Sequence, residues 1–183
     1  MEYFTLEIGT LTRKLPLSYV SRNTRLASFS LLGDVELVDY LADTIALKLK
    51  HIDFDYVVGP EVKVVPLVHG IAKRLGHKRY IICRKSVKPY MVSPVILKPL
   101  PTAPKHAKPL VISGLDAELL KGKKVVIIDD VVSTGVTMRM LDVLMEKVGA
   151  TVVLHIAVCK QGTQFSDSAH IISLAELPIV KDS

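Results

Sequence analysis

Apolar residues recur every fourth position at Leu37, Leu41, Ile45 and Leu49, which gives one face of a helix. Asp34 stands just ahead and can cap that helix, which runs to about Lys50. Upstream, residues 3–20 alternate apolar and polar around Gly9 and Thr10, the pattern of a hairpin or two short strands. Downstream, residues 56–59 form a short apolar run. Leu67, Val68, Ile71, Ala72 and Leu75 then turn one face of a second helix inward, Gly76 ends it, and residues 79–83 read as the next strand.

The character changes over residues 84–109, where prolines at 89, 94, 99, 101, 104 and 109 are separated by lysines. Proline removes backbone donors and resists helix, so this stretch is expected to be a long, flexible excursion from the core. Residues 110–113 can add a short strand, and residues 121–124 a turn. Residues 125–128 are wholly apolar, as in a parallel strand buried on both faces. A helix is expected from Val136, with Leu141, Leu144, Met145 and Val148 as its inward stripe. Residues 152–158 and 170–173 complete the strands. Alternating strands and helices imply an α/β fold, a mainly parallel central sheet flanked by helices, within one domain spanning residues 1–183.

Composition narrows the class. No apolar run approaches the roughly 20 residues of a membrane span. The start, Met1-Glu2-Tyr3-Phe4, lacks a secretory signal, so the cytoplasm is the expected compartment. Cys83 and Cys159 match no metal spacing and read as small buried apolar residues. Amides are scarce, as in some heat-adapted proteins: Asn23 is the sole asparagine, and Gln161 and Gln164 are the two glutamines. The formal charge of +6 favours an anionic partner, either nucleic acid or a phosphorylated small molecule. The basic residues are spread along the chain without aromatic interleaving, which disfavours nucleic acid.

The chemistry concentrates in Val125-Val126-Ile127-Ile128-Asp129-Asp130-Val131-Val132-Ser133-Thr134-Gly135-Val136-Thr137. An apolar strand delivers two carboxylates at its carboxyl end, where open α/β sheets bind ligands. A loop rich in hydroxyls and a helix start follow. Ser133, Thr134 and Thr137 offer hydroxyl donors, and Gly135 permits an unusual backbone angle. The loop amides and the helix start point positive partial charge at an anion, which makes a cage for a phosphate monoester. Asp129 and Asp130 accept hydrogen bonds only and suit the two hydroxyls of a ribose. There is no Gly-x-Gly-x-x-Gly run and no Gly-Lys-Ser/Thr phosphate loop, so dinucleotide and nucleotide-hydrolase sites are disfavoured.

These thirteen residues resemble the phosphoribosyl pyrophosphate signature of the type I phosphoribosyltransferases. Leu115-Asp116-Ala117 and Lys121-Gly122-Lys123 ahead of them are similar to the run-up in adenine phosphoribosyltransferases and related purine enzymes. Val136 departs from the second glycine of many members. The resemblance implies a Rossmann-like core with a small hood, to which residues 1–33 contribute, and a flexible loop near 84–109. It implies that residues 133–137 hold the 5′-phosphate and that Asp129 and Asp130 hold the ribose hydroxyls. Glu61, Val62 and Lys63 match a loop that meets the pyrophosphate, often through a strained peptide. Arg84, Lys85 and Lys88 open the family's flexible loop and would meet the pyrophosphate as it closes. Both segments could otherwise be a plain turn and a solvated basic loop.

Val131 and Lys160 are the candidate contacts to the base. The implied reaction joins adenine and phosphoribosyl pyrophosphate to give AMP and pyrophosphate, with Mg²⁺ held mainly by substrate and water, in a homodimer. A lysine comparable to Lys160 donates to the oxo group in 6-oxopurine enzymes. Hypoxanthine, guanine or xanthine are therefore alternative acceptors. A non-catalytic sensor of phosphoribosyl pyrophosphate is a further alternative. The segment from Ser28 to Asp34 departs from the usual adenine-enzyme pattern.

Overall fold

The computed structural model describes residues 2–101, 103–105, 107–162 and 171–182. In chain order the elements are β1 (Tyr3–Ile8), β2 (Leu11–Ser21), β3 (Thr24–Ala27), α1 (Val35–Leu49), β4 (Tyr56–Pro60), α2 (Val65–Arg74), β5 (Ile81–Cys83), β6 (Val95–Leu97), β7 (Leu110–Ile112), α3 (Gly114–Leu120), β8 (Lys124–Val132), α4 (Val136–Lys147), β9 (Thr151–Gln161), β10 (Ile171–Leu177) and β11 (Ile179–Lys181).

Five strands form the central sheet in the order β10-β9-β8-β4-β5, and every neighbouring pair is parallel. Its middle strand is apolar throughout because both faces are covered. Val126 and Ile128 pack with α1, α2 and the hood, whereas Val125 and Ile127 pack with α3 and α4. The α1 stripe Leu37, Leu41, Ile45 and Leu49 is buried as the spacing requires, and Asp34 accepts from the Leu37 amide at 3.0 Å. At the end of α2 the amides of Gly76 and His77 reach the carbonyls of Lys73 and Ala72, and Gly76 takes φ +73°. That is the left-handed stop a glycine favours.

The hood is a separate antiparallel sheet in the order β1-β2-β3-β11. Residues near the N-terminus supply three of its strands. The fourth, β11, was not evident in the sequence, because three residues after Pro178 carry too little periodicity to announce a strand. Gln161 and Leu177, at the carboxyl ends of β9 and β10, bring the core sheet beneath this hood.

Three further expectations are revised. The proline-rich stretch is not wholly irregular: the apolar triplet Val95–Leu97 pairs antiparallel with Leu110–Ile112. The short α3 lies where no helical period was readable, since seven residues starting at a glycine give barely two turns. Strand β5 is shorter than the apolar run suggested, and β10 is longer; His170, assigned to that strand from the sequence, lies outside the described residues. Among the described residues no helix is long and apolar enough to cross a membrane.

Candidate active site

The carboxyl ends of the parallel strands bring the candidate residues together. Glu61, Val62 and Lys63 follow β4; Arg84 and Lys85 follow β5; Asp129 to Val132 end β8; Lys160 and Gln161 end β9. In-register pairing of β4, β5, β8 and β9 places these ends side by side, as at the ligand edge of open α/β sheets.

After β8 the chain makes one turn into α4. Gly135 occupies the N-cap position with φ +72°, a conformation a side chain would strain. No side chain caps α4, and its first turn holds no acidic residue. The first amides of a twelve-residue helix therefore face the loop with their positive partial charge uncompensated by a neighbouring side chain. Asp129, Val131, Val132 and residues 133–138 surround a small cavity of about 40 Å³ at this place. Ser133, Thr134, Gly135, Val136 and Thr137 all line it. On the outer side, Lys85 joins Thr134, Val136 and Thr137 around an adjoining cavity of about 290 Å³.

The two carboxylates differ. Asp129 is 6% exposed, and one of its oxygens accepts from the Asp130 amide at 2.8 Å. Burial, and then the neighbouring Asp130 charge, raise its pKa well above the ordinary carboxylate range, partly opposed by that amide and by Lys85. Asp130 keeps a buried Oδ2 with no hydrogen bond among the described residues, and its nearest cation is the Lys63 Nζ at 3.5 Å. That Nζ also donates to the Phe29 carbonyl at 3.2 Å, which links Asp130 to the segment after β3.

The segment after β4 carries a cis peptide between Glu61 and Val62. The Glu61 carboxylate pairs with the Arg84 Nε at 2.5 Å and accepts the Lys85 amide at 2.6 Å. The Arg84 contact is charge to charge, since the N–H does not meet hydrogen-bond geometry along it. Glu61 thereby holds Arg84 and the Lys85 backbone beside the turn after β4. The Lys88 Nζ donates to the Ser86 hydroxyl at 2.8 Å. Cys83 and Cys159 are both buried, and burial pushes each thiol up to about 12, so neither is a ready nucleophile.

A cavity of about 280 Å³ lies between hood and core, lined by Ser18, Val20, Leu26, Ala27, Ser28, Phe29, Lys63, Val131, Gln161 and Leu177. Val131, a candidate base contact from the sequence, lines this cavity. Lys160 is not among these residues; it lines a neighbouring cavity of about 660 Å³, where it pairs across the sheet with Glu176. Phe29 and Gln161 also line the cavity between hood and core and were not among the candidates read from the sequence. The alternation along β9 from Cys159 could have found Gln161; only the fold brings Phe29 to it.

Among known proteins, a family model of the phosphoribosyl transferase domain matches residues 35–181. The adenine phosphoribosyltransferase of Thermosipho africanus is 34% identical over 131 residues, covering 67% of this chain and 69% of that protein. That of Thermosipho melanesiensis is 31% identical, covering 84% of each. The crystal structure of the adenine phosphoribosyltransferase from Thermoanaerobacter pseudethanolicus superimposes with a TM-score of 0.72 at 22% identity, covering 88% of this chain and 95% of that one. This chain belongs to the phosphoribosyltransferase family of enzymes.

Proposed function

We propose that the protein transfers the phosphoribosyl group of phosphoribosyl pyrophosphate to adenine, forming AMP and pyrophosphate. The observation that carries the reading is the convergence, at one edge of the sheet, of an acid pair, an uncapped helix N-terminus and the Arg84–Lys85 pair. The hood cavity beside Val131 supplies a mostly apolar slot for a flat base. Adenine as acceptor, one domain spanning residues 1–183, a homodimer and a cytoplasmic setting follow from the resemblance to the adenine enzymes.

In the reaction a ring nitrogen of adenine forms its bond to the anomeric carbon as the bond from that carbon to pyrophosphate breaks. The nitrogen's proton leaves to solvent or product. Residues 133–137 hold the 5′-phosphate through amides and hydroxyls, and Asp129 and Asp130 accept from the ribose hydroxyls. Positive charge gathers on the sugar as the leaving group departs, and the two carboxylates sit where they stabilise it. Val62 and Lys63 offer the turn beside the pyrophosphate, with Glu61 orienting Arg84 and Lys85 toward it. Lys88 reaches the same anion when the loop closes and water is shut out. Mg²⁺ fits this donor set, carboxylates beside a polyphosphate, and when bound through substrate oxygens and water it neutralises the leaving group.

The test is nucleotide formation from phosphoribosyl pyrophosphate and Mg²⁺, offered adenine, hypoxanthine, guanine or xanthine separately. AMP from adenine is expected. Preference for a 6-oxopurine would overturn the acceptor, and no product from any base would overturn catalysis. Asp130→Asn is expected to lower turnover about 100-fold or more while the protein stays folded, as for other electrostatic stabilisers of transition states.

A further inference from the structure

Three of the four polar side chains lining the hood cavity are engaged. The Ser18 and Ser28 hydroxyls bond to one another at 2.9 Å. Lys63 serves Asp130 and the Phe29 carbonyl. The exception is Gln161. It is 8% exposed, yet among the described residues its carboxamide bonds to no protein group. The residue lines both the hood cavity and the larger cavity next to it. A carboxamide that meets no protein partner at a cavity wall keeps its hydrogen-bonding capacity for a ligand.

The strand sets the direction of the side chain. Alternation along β9 puts Gln161 on the face of Cys159, which pairs with Val131, and in the register of Leu177. Val131 and Leu177 are walls of the hood cavity, and Phe29 is a third. Lys160, one residue earlier, falls on the opposite face with Val132 and Glu176. The hood cavity, about 280 Å³, lies near the lower end of small-ligand pockets, which span about 300 to 1,000 Å³. A flat heteroaromatic ring fits between apolar walls. Among the described polar side chains of this cavity, the one with no protein partner is a carboxamide, which offers one donor and one acceptor side by side. Adenine presents the complement: an amino donor next to a ring-nitrogen acceptor, the same pairing by which glutamine reads adenine in nucleic acids.

We infer that Gln161 is the residue that reads the edge of the purine, accepting from the 6-amino group and donating to an adjacent ring nitrogen. This rests on the purine reading of the site proposed above. It replaces Lys160 as the polar contact to the base and gives Lys160 no part in choosing it.

The experiment compares adenine with unsubstituted purine, which lacks the 6-amino group, as acceptors for wild type and for Gln161→Met, an unbranched apolar replacement of similar length. Wild type is expected to favour adenine roughly tenfold or more in kcat/KM, the scale of one buried hydrogen bond. In Gln161→Met that preference should collapse toward one, through a higher KM for adenine, with KM for phosphoribosyl pyrophosphate and the melting temperature held. A role in packing alone would slow both acceptors equally and leave the ratio intact, which overturns the inference. Lys160→Met serves as the second variant and is expected to keep the wild-type ratio; a collapsed ratio there, with Gln161→Met unchanged, restores Lys160 as the reader. A wild type that uses no purine overturns this inference together with the reading beneath it, whereas an active wild type with an unaltered ratio in Gln161→Met overturns this one alone.

Discussion

The central sheet and the hood solve the same problem, holding strands together, by different means. The sheet is parallel, covered on both faces, and its middle strand is apolar from Val125 to Ile128. The hood is antiparallel and leaves many of its residues, Tyr19 and Val20 among them, exposed. It relies more on charge: Arg25 pairs with Glu2 at 2.7 Å and with Asp182 at 2.6 Å, and its guanidinium lies 5.5 Å over the Tyr19 ring. Packing therefore fixes the edge where the acids and the phosphate loop sit. The hood leans on ion pairs whose carboxylates reach the surface, Glu2 most of all.

The comparison can be broken from the sheet side first. A methyl group at Gly59 would lie 2.8 Å from Val68 Cγ2, 2.9 Å from Val64 Cγ1 and 3.0 Å from the Ile128 carbonyl oxygen. Gly59→Ala is expected to cost about 1–3 kcal/mol, as overpacking of cores does. Thermal unfolding would show it as a drop of roughly 2–4 °C for each kcal/mol. Because Val64 belongs to the turn carrying Glu61 and Lys63, weaker binding of phosphoribosyl pyrophosphate should accompany the loss. An unchanged melting temperature would mean that this junction is loosely packed.

A second change works in the opposite direction. Asp129 has its folded pKa raised by burial and by Asp130, so its ionisation works against folding. The native state then holds a proton that the unfolded chain releases from about pH 4 upward, and stability falls with rising pH across that interval. Asp129→Asn removes the opposition. Its melting temperature should exceed that of wild type by a margin that opens from about pH 4 and levels once Asp129 ionises in the native protein. Activity should fall at the same time. A variant less stable than wild type at neutral pH would show that the carboxylate contributes more to the fold than its burial costs.

The smallest effect is expected in the hood. Arg25→Ala should change the melting temperature modestly: Glu2 is largely solvated, whereas the guanidinium and Asp182 are more covered. It should raise KM for the base a few-fold while KM for phosphoribosyl pyrophosphate holds. Equal effects on both substrates would show that hood and phosphate loop move as one body.

The same contrast explains what could be read from the sequence. Strand β8, the caps at Asp34 and Gly76, and the stripes of α1, α2 and α4 are local patterns backed by burial, and the structure repeats them. The strand, loop and helix start of the candidate site were legible because acids, hydroxyls, glycine and helix start lie within thirteen consecutive residues. The hood cavity was not, since Ser18, Phe29, Lys63, Val131, Gln161 and Leu177 come from six distant places that only the crossovers of the sheet bring together. Strand β11 and α3 were invisible because three and seven residues are too few to display a period. The partner of Arg84 was likewise hidden: Glu61 lies 23 positions upstream and meets it only because β4 and β5 are neighbours.

That last pair has a consequence for how the protein meets its substrate in salt solution. With Glu61 against it, Arg84 is already neutralised within the protein. Any anion that engages Arg84 must exchange with a tethered carboxylate instead of with mobile counterions. Exchange against a tethered group releases fewer ions to the bulk, so this contact adds less to the ionic-strength dependence of binding than an unpaired arginine would.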